Sequence, residues 1–170
     1  MNNTLIIALL SPILITIGGL VTWFFKSKRE DTLLAQERTR EFKIKTYETL
    51  LEPIIIAFTF TLNEKKKTQG INKLHSLEYR KAAFNLMTFG SDEVVKSYNK
   101  IMQSFFNTNS EDFDDEEEYA VVMLTYISDL MKNIRKDLYT KKTNLKRSEF
   151  LEFMINDIEK HKERINSTKL

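Results

Sequence analysis

The residues in this 170-residue chain with catalytic or ligand-binding chemistry are two histidines, one run of acids and several clusters of bases. A Ser-His-Asp relay needs a histidine base beside a nucleophile. His75 and His161 both lie in neighbourhoods without a nucleophile motif. The absence of cysteine removes a thiolate nucleophile and any Cys-type zinc or iron–sulfur site. A phosphate-cradling loop wants clustered glycines, and outside the N-terminal apolar stretch only Gly70 and Gly90 are present, far apart. No enzyme is expected, and no cofactor. The acids Glu111, Asp112, Asp114, Asp115, Glu116, Glu117 and Glu118 form the other candidate. Asp112, Asp114 and Glu116 alternate as in a calcium loop, but no glycine-allowed turn follows. The chain also lacks the Glu-x-x-His pairs of a di-iron bundle. A solvated loop leading into a helix N-terminus is the expectation, with no metal site.

The bases are Lys65, Lys66 and Lys67, then Arg135 and Lys136, Lys141 and Lys142, and Lys146 and Arg147. The net charge of +2 hides this segregation: without the acidic run the chain is strongly basic. Arg135, Lys136, Lys141, Lys142, Lys146 and Arg147 lie within one short stretch, which makes them the candidate surface for an anionic ligand such as a nucleotide or oligonucleotide. Two other uses of the same charges stay open. One is a solvated face; the other is a contact from Lys141 and Lys142 to Glu116 and Glu117 of a neighbouring copy.

Those charges must be positioned by something, and the first element is the plainest. Leu5 to Phe25 is 21 residues without a charge, which at the helical rise covers about 30 Å, the thickness of a bilayer's hydrocarbon. A cleaved signal peptide would start with bases, whereas Met1-Asn2-Asn3-Thr4 has none. Lys26, Lys28 and Arg29 follow the stretch. The positive-inside rule then predicts a single-pass plasma-membrane protein with its N-terminus outside and the rest cytoplasmic. Trp23, Phe24 and Phe25 would form the aromatic belt. Pro12 leaves the Ala8 carbonyl without its helical donor, a kink that membrane helices tolerate.

Thr4, Ala8, Ser11, Ile15, Gly18 and Thr22 recur every three or four residues, so mostly small side chains share one seam. Small seams let membrane helices approach closely, which predicts a homo-oligomer. Whether the seam only packs, or lines a narrow polar path with Thr4, Ser11 and Thr22, is left open by spacing alone.

With Gly 4 and Pro 2, the chain lacks the breakers that an all-β fold needs. The expected fold is all-α: a transmembrane helix over 1–25, a charged stalk helix over 26–45, and a cytoplasmic bundle of four to five helices over 46–170. The stalk carries seven bases and four acids. Ile44, Tyr47, Leu51, Ile54 and Phe58 continue the helix, and Asn63 to Asn72 is expected as a polar loop. Lys73 to Phe89 reads as a helix ended by Gly90. The next starts at Ser91 and presents Val94, Val95, Tyr98, Ile101, Met102, Phe105 and Phe106 on one face. After the acids, Tyr119, Val122, Met123, Tyr126, Leu130, Met131, Ile134 and Leu138 mark a long helix. A last helix is expected from Ser148 through Leu151, Met154, Ile155 and Ile158.

The stretches YRKAAFNLMTFGSDEVVKSYNKIM (Tyr79 to Met102) and IRKDLYTKKTNL (Ile134 to Leu145) resemble a group of short bacterial proteins with one N-terminal membrane helix, found in antiviral defence loci. The layout is similar to the membrane effector of the nucleotidyltransferase-linked Hailong system. The resemblance implies an oligomeric ion channel gated by a nucleotide oligomer. Neither stretch is catalytic. The alternative expectation is a membrane-tethered adaptor whose bundle binds a protein partner.

Overall fold

In the computed structural model, the described residues are 3–57, 64–107, 116–139 and 143–168, with side chains described for 16–56, 68–106, 117–139 and 143–168. Every regular element among them is helical. In order they are α1 (Asn3–Ala57), α2 (Glu64–Leu74), α3 (Leu77–Phe89), α4 (Asp92–Asn107), α5 (Glu116–Leu138), two 3₁₀ turns at Ser148–Phe150 and Ile158–Lys160, and a short α6 (Lys162–Ser167). The chain divides into two compact units, Met1–Phe42 and Lys43–Leu170.

The first unit is the N-terminal part of α1. Its side chains are exposed from Thr16 onward save Ser27, large apolar ones included: Trp23 is 66% exposed and Phe25 67%. Thr22, Thr32 and Thr39 each donate a hydroxyl hydrogen bond to the carbonyl four residues earlier. Hydroxyls without a tertiary partner on a helix surface take this local option. Among the described residues, no helix is long and apolar enough to cross a membrane. Of the apolar stretch, Leu5 to Ile15 lies outside the described side chains.

The second unit is built on α4 and α5. Val94, Tyr98 and Ile101 from α4 meet Val121, Met123, Ile127, Leu130 and Ile134 from α5, with Tyr47 and Leu50 of α1 and Tyr79, Ala82 and Leu86 of α3 closing the core. Apart from the neighbouring Val121 and Met123, spacings of three and four residues place each set on one stripe, and burying that stripe is what holds an amphipathic helix in place. Two polar residues sit fully buried on α5. Thr125 donates to the Val121 carbonyl at 2.8 Å and Ser128 to the Thr125 carbonyl at 2.8 Å, so neither hydroxyl is left unsatisfied.

Local signals set several boundaries. Ser76 caps α3, its hydroxyl accepting from the Tyr79 N–H at 3.1 Å. Gly90 ends α3 with its N–H on the Leu86 carbonyl at 2.8 Å. A Cβ at Gly90 would stand 2.7 Å from that carbonyl oxygen, so any other residue there would force the turn or Leu86 to shift. Asp92 and Glu93 occupy the first turn of α4, where the helix dipole favours acids.

Three expectations need correction. Residues 64–72, expected within a polar loop, belong to α2. Its Gly70 is buried where an added Cβ would stand 3.2 Å from Ile56 Cγ2, so close packing against α1 holds a helix that its composition does not announce. The helix expected from Lys73 is broken at His75 and Ser76, and α3 starts at Leu77. The last helix expected from Ser148 is absent. Two 3₁₀ turns and α6 stand in its place, and Leu151, Ile158 and Ile165, spaced seven apart, are buried there together with Ser148 and Phe150.

Candidate functional site

The candidate basic surface comes from the end of α5 and the segment after it. Arg135 and Lys136 are exposed in the last turn of α5, where cations also complement the helix dipole. Lys146 is exposed as well. Lys141 and Lys142 lie outside the described residues, as do Glu111, Asp112, Asp114 and Asp115 of the acidic run; Glu116 is described in its backbone alone.

Arg147 is used differently from the expectation. Its Nε and Nη2 donate to the two carboxylate oxygens of Asp129 at 2.8 and 3.0 Å, and its Nη1 donates to the Thr168 carbonyl at 2.7 Å. A planar guanidinium holding a carboxylate through two parallel bonds is a strong, oriented contact. It clips the C-terminal segment to α5. An anion would have to displace Asp129 to reach it, so Arg147 leaves the ligand set. Asn166 supports the same clip, exchanging hydrogen bonds with the Ser148 hydroxyl and N–H at 3.1 and 3.2 Å. Nearby, Glu117 of the acidic run accepts from Arg164 at 2.8 Å within the chain.

The residue after Lys136 makes the contact that spacing did not reveal. Asp137 has a side chain only 8% exposed and receives Lys43 Nζ of α1 at 3.0 Å on each carboxylate oxygen. The Tyr47 hydroxyl donates to the same carboxylate. Burial, then the Asp137 hydrogen bond and charge, push the Tyr47 hydroxyl far above its ordinary range, so it stays a donor at any physiological pH. The three groups form a latch between α1 and the end of α5. Lys43 and Asp137 are 94 residues apart. The only hint in the sequence is the four-residue interval from Lys43 to Tyr47, which places both on one face of a helix.

Of the seam, Thr4, Ala8, Ser11 and Ile15 lie outside the described side chains, within the helical backbone of α1. Gly18 and Thr22 are exposed on α1. A Cβ at Gly18 would meet nothing within 4 Å, and Thr22 donates to the Gly18 carbonyl at 2.8 Å. Among the described residues no group of three or more acidic or imidazole side chains is placed to hold a metal ion.

No protein-family model matches the chain, and no curated protein or solved structure shows significant similarity to it, so the resemblance to defence-locus membrane effectors rests on the residues quoted for it.

Proposed function

We propose that this chain is a homo-oligomeric membrane effector whose N-terminal helix enters the bilayer and conducts ions. Its helical bundle responds to an anionic, nucleotide-like ligand. The observation that supports the reading most is the uncharged stretch from Leu5 to Phe25, continued on α1 by Ile17, Leu20, Val21, Trp23, Phe24 and Phe25, each about half or more exposed. A run of large apolar side chains in water marks a surface that lipid or another copy covers. Lipid covers it here, and the small seam at Thr4, Ala8, Ser11, Ile15, Gly18 and Thr22 meets its counterparts in neighbouring copies.

Coupling runs through the latch. Arg135 and Lys136 receive the ligand's phosphates, and the incoming negative charge competes with Asp137 for Lys43. Because Lys43 and Tyr47 belong to α1, release of Asp137 changes how the bundle holds that helix. A ligand shifts such an equilibrium only by its difference in affinity for the latched and unlatched states.

The test is membrane potential in bacteria expressing the intact chain, compared with a chain whose residues 5–25 are replaced by poly-Leu. Depolarisation by the native chain alone supports conduction. Equal activity of both reduces the span to a tether. That outcome would favour a second reading, a membrane-tethered adaptor, for which Phe84 and Phe153 of the second unit are each exposed as apolar contact residues.

A further inference from the structure

The second unit contains a cavity of about 440 Å³ between α1, α2, α3, α4 and α5. Leu50 and Ile54 of α1, Ile101 of α4, and Met123, Ile127 and Leu130 of α5 are among its walls. Small-molecule sites occupy roughly 300 to 1,000 Å³. An apolar cavity of roughly 150 Å³ accepts one benzene, so this one has room for about eighteen carbon-sized atoms. Water is a poor occupant, because it needs two to four polar partners and these walls are almost wholly hydrocarbon.

The polar exception is specific. Tyr79 and Tyr98 both line the cavity, and the Tyr98 hydroxyl donates to the Tyr79 oxygen at 3.3 Å. Among the described residues, the acceptor for the Tyr79 hydroxyl is the Met102 sulfur, at 3.9 Å. A thioether is among the weakest acceptors a protein offers. The relay of donors therefore ends on a buried O–H that a carbonyl or carboxylate oxygen would satisfy better. Burial raises both hydroxyls above their ordinary range, which keeps them protonated.

We propose that this cavity binds a single long acyl chain of the fatty-acid class, its hydrocarbon along α4 and α5 and its carboxyl oxygen accepting from Tyr79. The site stands apart from the basic surface and from the conduction reading, and it holds whether or not the N-terminal helix conducts.

The probe is a long-chain fatty acid carrying a diazirine in its tail, added to membranes of bacteria expressing the full chain. Cross-links are then mapped by mass spectrometry. The expected result is labelling of the wall segments around Ile101 and between Met123 and Leu130. It should fall at least tenfold in Ile127→Phe, which fills the cavity, while labelling within 5–25 is unchanged. Leu130→Phe serves as a second filled variant if the first fails to fold. Tyr79→Phe should lose several-fold labelling by the acid and keep labelling by a diazirine alkane of the same length. Labelling confined to 5–25, or wall labelling that survives both filled variants, overturns the site. Equal loss or equal retention of both probes in Tyr79→Phe overturns the assignment of the carboxyl group.

Discussion

Trp23 and Leu86 are both large apolar residues on helices, yet one is 66% exposed and the other 1%. The contrast holds across the two units. In Lys43–Leu170, Val94, Leu151 and Ile165 are wholly buried among side chains of the same chain. In Met1–Phe42, Ile17, Leu20 and Phe24 are each more than half exposed. The second unit therefore has its own source of stability in apolar burial, whereas the described side chains of the first contribute little of it. This difference predicts where substitutions register as unfolding and where they do not.

The sharpest contrast should come from Leu86→Ala. Truncating a wholly buried leucine costs about 3 kcal/mol or more, read as a drop in the denaturation midpoint of the bundle, while Phe24→Ala should leave that midpoint in place. Equal effects of the two substitutions would break the comparison. Asp137→Ala comes next. Removing one partner of a nearly buried ion pair leaves Lys43 and Tyr47 without their carboxylate, and the loss is about 3 kcal/mol in the same measurement. Lys43→Met with Asp137→Leu should recover much of it, since a matched apolar pair often replaces a buried ion pair at little cost.

Gly90→Ala should cost about 1 to 3 kcal/mol, the range for forcing added volume into a packed site, because the new methyl meets the Leu86 carbonyl and side chain. The pH dependence sharpens the same picture. Tyr47, Tyr79 and Tyr98 have hydroxyls raised above the ordinary value, mainly by burial in the second unit. A group whose folded-state pKa is raised contributes its stability fully below the unfolded value and loses it as pH rises. The bundle should hold its stability up to about pH 10 and lose it above, with a shallower decline in Tyr47→Phe, as followed by helicity against denaturant. The smallest effect belongs to Arg164→Ala. Its exposed pair with Glu117 should be worth at most about 0.5 kcal/mol.

Helices with a clean apolar stripe were the legible part. Val94, Tyr98 and Ile101 mark α4, and Met123, Leu130 and Ile134 mark α5, because a stripe that must be buried repeats at the helical period whatever covers it, although the buried Val121 and Ile127 lie one position from the expected Val122 and Tyr126. Where the stripe was weak or misleading, spacing failed. In α2 the composition is that of a loop, and contact with Ile56 at Gly70 supports the helix. Leu151, Met154, Ile155 and Ile158 carry a helical period, yet the segment turns in 3₁₀ steps as it packs on α5. Of the candidate site, the exposed Arg135, Lys136 and Lys146 could be read from charge alone. Charge alone could not distinguish them from Arg147, whose partner Asp129 lies eighteen residues earlier.

The chain's own order of residues determined that the fold is all-α, that its apolar residues fall into an uncharged N-terminal stretch and a set of amphipathic stripes, and that acids and bases are segregated. These are properties of neighbours three or four positions apart, and local periodicity carries them. The latch of Lys43, Tyr47 and Asp137, the clip of Arg147 and the cavity beside Tyr79 were decided only by tertiary structure. Each joins groups many positions apart. Such pairings depend on which faces of separate helices meet, and that is set by how the whole core packs, not by any interval along the chain.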